Sequence, residues 1–172
     1  MRNNNIKTLI MDDNRQMRTL LSAILGAFGF KNLIGASSIK EAQELWREHR
    51  FDLVIVDQRM GDQSGLDYVR WLRQKHISPS PFVPVIVVSS YSEKTRIIEA
   101  INAGVDEFLV KPLRPVDLAR RIDSVTYKRR DFVHTVNFFG PDRRRFDNPH
   151  FRGPFKRIDD PQIAENEVFE FE

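Results

Sequence analysis

The stretch LVIVDQRMGDQSG, Leu53 to Gly65, decides the fold because it joins a strand-like run to a polar site. Its first four residues are apolar and mostly β-branched, which is typical of a strand buried on both faces. The run ends on the carboxylate of Asp57, and a loop that contains glycine follows before the next predicted helix. A buried strand with an acid at its end indicates a parallel sheet that carries chemistry at the carboxyl ends of its strands.

Strand and helix patterns alternate on both sides of this stretch. Amphipathic segments at spacings of three and four predict the helices. Ser38 to Glu41 forms a capping box before the second helix, Ser90 to Glu93 forms another before the fourth, and Pro115 suits the start of the last. The predicted strands are Ile6–Met11, Leu33–Ile34, Leu53–Asp57, Val85–Ser89 and Glu107–Val110. The pattern predicts an α/β fold, a doubly wound five-stranded parallel sheet with helices on both faces.

Five polar residues stand at or just beyond the carboxyl ends of these strands. They are Asp12, Asp13, Asp57, Ser89 and Lys111. Three carboxylates at one rim would repel one another unless a cation lay among them, and oxygen ligands favour Mg²⁺. The ammonium and hydroxyl groups suit a phosphoryl group. Separate surface acids would explain Asp12 and Asp13 alone, but the whole set predicts a phosphoryl-acceptor site.

Composition excludes several other classes of protein. The 172 residues are 41% hydrophobic and 30% charged, which suits one domain with an appendage. The apolar runs are too short to span a bilayer, and the N-terminus MRNNNIK lacks the apolar core of a signal peptide. The chain has no cysteine, which excludes disulfides and thiolate metal sites. We expect a cytoplasmic protein that does not insert into membranes.

The set Asp12-Asp13, Asp57, Ser89 and Lys111-Pro112 resembles the receiver domain of bacterial response regulators, which has the CheY-like, flavodoxin-like fold. Gly65 and the pair Ala103-Gly104 also match this family, and the resemblance covers about residues 6–126.

The resemblance implies that Asp57 accepts a phosphoryl group from a histidine kinase or a phosphotransfer protein. It also implies that Asp13, Asp57 and the backbone carbonyl of Arg59 hold Mg²⁺, with Asp12 assisting through water. The only chemistry expected is transfer onto Asp57 and slow loss of the group, so we do not expect a metabolic enzyme.

The resemblance further implies a switch formed by Ser89, which would move toward the phosphoryl group, and Phe108, which would turn inward. Some positions depart from the family pattern. Gly61 stands where proline is common, and Arg59 and Tyr91 are bulky. If they overhang the aspartyl phosphate, they obstruct the in-line water, so we predict a long-lived phosphoryl group.

Charge is segregated along the rest of the chain. Residues 1–126 carry 18 Lys or Arg and 15 Asp or Glu, residues 127–158 carry 9 and 3, and residues 159–172 carry none and 6. This predicts a receiver domain over 1–126, a basic tail over 127–158 and an acidic terminus over 159–172. Residues 127–172 contain eight phenylalanines but no leucine, which is too little aliphatic bulk for a core or for a helix-turn-helix DNA reader. We expect a mostly irregular tail that orders on a partner, with DNA an improbable one.

The basic tail contains one short phrase twice, F-x-G-P-x-[KR]-R at residues 138–144 and 151–157. Arginine forks match guanine edges and stack on bases, so a duplicated unit indicates a ligand with two equivalent guanines. The tail resembles the arginine-rich extensions of CheY-like c-di-GMP effectors, which are associated with flagellar motor control. The predicted ligand-binding residues are Arg129, Arg130, Phe139, Asp142, Arg143, Arg144, Arg145, Phe151, Arg152, Lys156 and Arg157.

The favoured interpretation is a single-domain response regulator whose tail binds c-di-GMP and tunes docking to a protein such as the flagellar motor switch. In one alternative, the tail is solvated and neutralised by the acidic terminus. In others the tail binds RNA, DNA or an acidic protein surface. In a further alternative the chain is a phosphotransfer intermediate, whose receiver domain shuttles phosphoryl groups while the tail only anchors a kinase. A sharper hypothesis is that the acidic terminus competes with an anionic ligand.

Overall fold

Strands and helices alternate from residue 7 to residue 127 in the computed structural model, which describes residues 5–135, 137–143 and 167–169. The strands are β1 Lys7–Met11, β2 Asn32–Ala36, β3 Leu53–Asp57, β4 Arg59–Met60, β5 Gln63–Ser64, β6 Val85–Ser89, β7 Glu107–Val110, β8 Phe132–Thr135, β9 Phe138–Pro141 and β10 Glu167–Phe169. The helices are α1 Arg15–Ala27, α2 Ile39–Glu48, α3 Gly65–Leu72, α4 Lys94–Asn102 and α5 Pro115–Tyr127. Within these described ranges, no helix has both the length and the apolar composition needed to cross a membrane.

A five-stranded parallel sheet forms the centre, in the order β2-β1-β3-β6-β7. All five residues of the central strand β3 are buried, and the first four alternate between two cores. Val54 and Val56 pack toward α2, α3 and α4, whereas Leu53 and Ile55 pack toward α1 and α5. Each such buried aliphatic side chain contributes roughly 1.5–3 kcal/mol. The predicted doubly wound parallel sheet is therefore confirmed.

The two predicted capping boxes have different outcomes. At α2, the Ser38 hydroxyl accepts the Glu41 N–H at 3.1 Å, and the Glu41 carboxylate accepts the N–H and hydroxyl of Ser37, each at 2.7 Å. The box predicted before α4 is wrong. The Tyr91 N–H donates to the Ser89 hydroxyl at 3.0 Å, and α4 begins only after Glu93, whose side chain makes no capping bond.

A second, antiparallel sheet follows α5, in the order β10-β8-β9. Strands β8 and β9 form a hairpin in which Phe132 pairs with Pro141 and His134 with Phe139, while the backbone of β10 pairs with the other edge of β8. The expectation that the tail orders only on a partner is therefore wrong for residues 132–135 and 138–141. Their phenylalanines, too few for a core of their own, pack instead on the α/β domain.

Candidate phosphoryl-acceptor site

Three carboxylates meet at the carboxyl ends of β1 and β3. One oxygen from each of Asp12, Asp13 and Asp57 lies within 4.8 Å of the others. Asp12 and Asp57 are buried, whereas Asp13 is exposed, so the cluster opens to solvent on one side. Carboxylates this close favour a bound cation, and an all-oxygen ligand set fits Mg²⁺, which keeps several of its waters.

Local hydrogen bonds orient the buried Asp12. Its Oδ1 accepts the N–H of Asn14 at 2.8 Å, and its Oδ2 lies 3.3 Å from the ammonium of Lys111. Both oxygens are therefore engaged within the protein. This arrangement is compatible with the predicted role of Asp12 in holding a cation through water.

Gly61 orients the exposed acid of the cluster. Its N–H donates to Oδ2 of Asp13 at 3.0 Å, and its backbone adopts φ +63°. Proline has no N–H and has φ fixed near −65°, so it could not replace Gly61 in this arrangement. The departure from the family pattern thus places a hydrogen-bond donor against a predicted metal ligand.

Lys111 joins the cluster from the end of β7. Its ammonium lies 2.9 Å from Oδ2 of Asp57 and is mostly buried. Burial lowers the pKa of Lys111, but the hydrogen bond to Asp57 and the charges of Asp57 and Asp12 outweigh burial and raise that pKa overall. Burial raises the pKa of Asp57, the charge of Asp12 adds to this, and Lys111 opposes it. Lys111 is therefore a stable positive charge beside the carboxylate of Asp57, the predicted acceptor.

A cleft of about 230 Å³ opens beside the acceptor and is lined by Asp13, Asp57, Gln58, Arg59, Ser89, Ser90 and Tyr91. Ser89 is fully buried at the end of β6, as predicted for a strand-end hydroxyl. Phe108, the predicted switch aromatic, is 8% exposed and belongs to the same core cluster as Ala100 of α4. The walls of the cleft include both bulky residues, Arg59 and Tyr91.

Gly65 holds the acceptor strand against α3. A Cβ at this position would overlap the backbone carbonyl oxygen of Asp57 and would lie 2.9 Å from a methyl group of Val56. The Gly65 N–H also donates to the carbonyl of Gln58 at 2.8 Å. Only glycine lets the helix start this close to the acceptor.

A family model described as the response regulator receiver domain matches residues 8–123. The chain belongs to this family. Receiver domains take part in two-component signalling and bind Mg²⁺ through an acidic pocket, which the cluster of Asp12, Asp13 and Asp57 fits.

Several receiver proteins are similar to this chain. Response regulator protein PilR of Pseudomonas aeruginosa is 40% identical over 114 residues, which are 66% of this chain and 24% of PilR. The chain thus spans about a quarter of that relative's length. Chemotaxis protein CheY-3 of Vibrio cholerae is 31% identical over 127 residues, 72% of this chain and 93% of CheY-3. The structure of V. cholerae CheY4 gives a TM-score of 0.63 at 26% identity, covering 70% of this chain and 98% of CheY4.

The tail hairpin docks at the opposite end of the receiver sheet. Phe132 and Phe139 form an aromatic cluster with Phe82, with ring centroids 5.1 to 5.5 Å apart. The guanidinium groups of Arg73 and Arg129 lie 5.0 Å and 4.7 Å from the centroid of Phe132. The hairpin is therefore held by aromatic packing and by two cations.

Asp106, directly before β7, links these two arginines. Its carboxylate accepts from Arg73 at 2.9 Å, from Arg129 at 2.8 Å and from the Val85 N–H at 2.9 Å, and the residue is 3% exposed. Arg73 also donates to the carbonyls of Pro81, Val83 and Gly104 at 2.7 to 2.8 Å. Burial lowers the pKa of Arg73 to about 10, so it stays charged at neutral pH. We call Arg73, Asp106 and Arg129 the hairpin latch.

The glycine of the first F-x-G-P-x-[KR]-R unit has a structural role. A Cβ on Gly140 would lie 2.9 Å from the Cα of Gly104 and 2.9 Å from the ring of Phe138. Arg143 donates to the Asn102 side chain at 3.1 Å, and its guanidinium lies 4.0 Å from the centroid of Phe138. The described part of this unit is therefore in contact with the receiver domain.

The predicted ligand-binding residues divide into three groups. Arg129, Arg130 and Phe139 contact the receiver domain, Arg130 through the carbonyls of residues 105 and 106, and Arg130 also donates to the carbonyl of Asp142 within the tail. Asp142 and Arg143 end the described hairpin. The predictions for Arg144, Arg145, Phe151, Arg152, Lys156 and Arg157 lie outside the described residues.

Sequence reasoning missed the receiver side of this contact, namely Arg73, Phe82 and Asp106. Phe82 follows a proline in a loop, and Asp106 precedes a strand, so each has the pattern of an ordinary surface residue. The excess of phenylalanine in the tail was the available signal, since aromatic rings without a core of their own need a surface on which to pack.

Proposed function

We propose that this chain is a response regulator controlled by phosphorylation of Asp57. The ion pair between Asp57 and Lys111 at 2.9 Å, inside a cluster of three acids, supports this proposal best. A carboxylate oxygen of Asp57 forms a bond to phosphorus as the bond between phosphorus and the donor histidine breaks. Lys111 compensates the charge on the phosphoryl oxygens. Mg²⁺, when bound by the acids, supplies further charge neutralisation.

Phosphorylation by a small donor tests the acceptor directly. Phosphoramidate with Mg²⁺ should add one phosphoryl group to the full chain, detected by intact mass, and Asp57→Asn should abolish the addition. Asp67→Asn is the control, because Asp67 is exposed and pairs with Arg70 on the surface of α3. Equal labelling of Asp57→Asn and the wild type would overturn the assignment.

The lifetime of the phosphoryl group is a separate part of this proposal. Arg59 and Tyr91 line the cleft beside Asp57 and narrow the approach of the in-line water. The double variant Arg59→Ala/Tyr91→Ala should therefore lose phosphate faster than the wild type. Unchanged hydrolysis would contradict the obstruction.

We also propose c-di-GMP as a ligand of the basic tail, supported by its nine Lys and Arg and by its repeated unit. Arg129 is part of the latch and Arg130 donates to receiver carbonyls, so we assign binding to the arginines beyond the hairpin. Calorimetry with the full chain should show binding that is lost in Arg144→Ala/Arg145→Ala and kept in Arg70→Ala. Equal affinity of both variants would remove this proposal and favour a protein or nucleic-acid partner.

A protein target completes the proposed output. We propose that the receiver domain, in the cytoplasm, receives its phosphoryl group from a histidine kinase or phosphotransfer protein and docks on a target such as the flagellar motor switch. The acidic terminus would compete with anionic ligands, so deletion of 159–172 should tighten c-di-GMP binding. If Asp57 passes its phosphoryl group on to a second protein faster than hydrolysis removes it, the phosphotransfer alternative is the better description.

A further inference from the structure

Arg18, in the first turns of α1, donates hydrogen bonds to the backbone of the two acids that follow β1. Its Nη1 lies 2.6 Å from the carbonyl oxygen of Asp12 and 3.3 Å from that of Asp13, and the residue is partly buried. Its Cδ runs beside β2, 3.5 Å from the place that a Cβ on Gly35 would occupy. Hydrogen bonds from a charged donor are stronger than those between neutral groups. The guanidinium is thus held against the loop between β1 and α1, a contact that no role above uses.

The two bonds from Arg18 hold the backbone on both sides of Asp13. The Asp12 carbonyl belongs to the peptide plane before Asp13, and the Asp13 carbonyl belongs to the plane after it. Because each peptide is planar, fixing two successive planes fixes φ and ψ of the residue between them. The second plane also contains the Asn14 N–H, which donates to Oδ1 of Asp12 at 2.8 Å. Arg18, helped by Asp12, therefore sets the direction in which the Asp13 side chain leaves the backbone.

Asp13 needs such a constraint because it is the exposed acid of the cluster. Its carboxylate accepts from the Gly61 N–H at 3.0 Å, a donor that lies 48 positions away in the chain. Mg²⁺ demands near-ideal octahedral geometry, and groups that orient its ligands from outside contribute to its affinity. We propose that Arg18 is a positioning residue for the Mg²⁺ site, which directs the Asp13 carboxylate into the acid cluster through the backbone.

The charge of Arg18 and its hydrogen bonds have opposite effects on a bound cation. A guanidinium beside the acids repels Mg²⁺, so charge alone predicts that its removal tightens Mg²⁺ binding. Loss of the two carbonyl bonds frees Asp13 and predicts weaker binding. The sign of the change in affinity therefore separates a positioning residue from a neighbouring charge.

The first test is calorimetry of Mg²⁺ binding to the full chain, which does not require phosphorylation of Asp57. Arg18→Met should weaken Mg²⁺ binding about tenfold, the size of effect that a group orienting a metal ligand has. Arg18→Lys keeps the charge and a donor on a stem one atom shorter, so its affinity should lie between those of wild type and Arg18→Met. Arg15→Met is the matched control, because Arg15 is an exposed arginine at the start of the same helix. It should bind Mg²⁺ within about twofold of wild type, or more tightly, since exposed charges are screened by salt.

The second test follows the rate of phosphorylation by phosphoramidate as Mg²⁺ is raised, and this readout rests on the proposed function. The Mg²⁺ concentration that gives half of the maximal rate should rise about tenfold in Arg18→Met. The rate should recover toward that of wild type as Mg²⁺ saturates the site, because excess cation compensates for weaker binding. A residue that only supports the fold would lower the rate at every Mg²⁺ concentration.

Three outcomes would overturn the inference. The first is an Arg18→Met variant that binds Mg²⁺ as tightly as wild type or more tightly, and the second is an equal loss of affinity in Arg15→Met. The third is a rate that falls by the same factor at low and saturating Mg²⁺. Circular dichroism checks folding, and if Arg18→Met does not fold, wild-type affinity in Arg18→Lys overturns the inference instead. A wild type that binds Mg²⁺ but is not phosphorylated would sink the proposed function and leave the positioning role to the calorimetry.

Discussion

The receiver domain has a cluster of ionised side chains at each end of its sheet, and the two clusters have opposite composition. At the carboxyl ends, the ammonium of Lys111 pairs with Asp12 and Asp57, and Asp13 completes a cluster of three acids. At the amino ends of β6 and β7, the hairpin latch places two guanidinium groups around the single carboxylate of Asp106. The first cluster has more carboxylates than cations, and the second has more cations than carboxylates.

The two clusters also differ in how their excess charge is compensated. In the latch, the backbone carbonyls of Pro81, Val83 and Gly104 accept from Arg73, so the cation is satisfied within the protein. In the acceptor cluster, Asp13 is exposed and a cleft lies beside Asp57, so its charge is open to a ligand. Removing one partner from the closed cluster would leave a buried charge uncompensated, whereas the open cluster is accessible to a ligand.

The largest loss of stability should come from removing the carboxylate charge of the latch. Asp106→Asn leaves Arg73 and Arg129 buried without a counter-charge, which should lower the free energy of unfolding by about 3 kcal/mol or more. Urea denaturation measures this. Asp67→Asn, which breaks an exposed pair, should cost at most about 0.5 kcal/mol. A loss below about 1 kcal/mol for Asp106→Asn would mean that the latch does not hold the hairpin.

The same removal of a carboxylate charge at the acid cluster should have the opposite effect on stability. Asp57→Asn relieves repulsion with Asp12 and the burial of a charge, so in Mg²⁺-free buffer it should raise the free energy of unfolding, by about 1 kcal/mol. A marked loss of stability in Asp57→Asn would erase the contrast between an open and a closed cluster.

After Asp106→Asn, the next largest loss of stability should come from an added methyl group where the hairpin contacts the receiver domain. Gly140→Ala forces Gly104 and Phe138 apart and should cost about 1–3 kcal/mol in unfolding free energy. Gly26→Ala is the matched control, because nothing lies within 4 Å of its added Cβ and the position is helical. It should stabilise by about 0.5–1 kcal/mol. Equal effects of the two substitutions would contradict the docked hairpin.

Mg²⁺ affinity should report the donor that Gly61 supplies to Asp13. Gly61→Pro removes the N–H and cannot adopt φ +63°, so Mg²⁺ binding measured by calorimetry should weaken about tenfold. Gly61→Asn keeps the N–H in a residue type that tolerates positive φ, and it should stay within about threefold of wild type. Full affinity in Gly61→Pro would show that the hydrogen bond does not help to hold the cation.

The smallest effect concerns a carboxylate outside both clusters. Hydrogen bonds from the N–H and hydroxyl of Ser37 hold the pKa of Glu41 below its ordinary value of 4.5. Their stabilisation is therefore present above that pH and is lost as the pH falls through the lower folded-state pKa. Wild type should exceed Glu41→Gln in unfolding free energy at neutral pH, and the difference should shrink in acid. A difference that grows toward low pH would refute this assignment.

The acidic end of the sheet could be predicted from the sequence because its charged residues have local signals. Asp57 and Lys111 directly end or follow apolar strand runs, and parallel strands bring those ends to one rim. The role of Gly61 could not be predicted, since a donor across 48 positions to Asp13 depends on how the loop after β3 folds. Gln58 has an ordinary polar side chain in the sequence, and only its burial makes it notable.

The latch end could not be predicted for a related reason. Arg73, Asp106 and Arg129 come from three separate segments, with separations of 33 and 23 residues, and each alone has the pattern of a surface charge. The tail was expected to be irregular because it lacks aliphatic residues. Its aromatic residues instead pack against the receiver domain, where Phe132 contacts Phe82.

The sequence by itself therefore determined the parallel sheet, the family and the acidic acceptor rim, because these follow from strand periodicity and from residues adjacent to strand ends. The tertiary structure alone decided that the first tail unit docks on the receiver domain and that Gly140 contacts Gly104. It also decided that the side-chain oxygen of Gln58 is buried with no partner among the described residues. The physical reason is range. Local patterns record which residues share a strand or a helix, whereas contacts between distant segments depend on packing that no short pattern encodes.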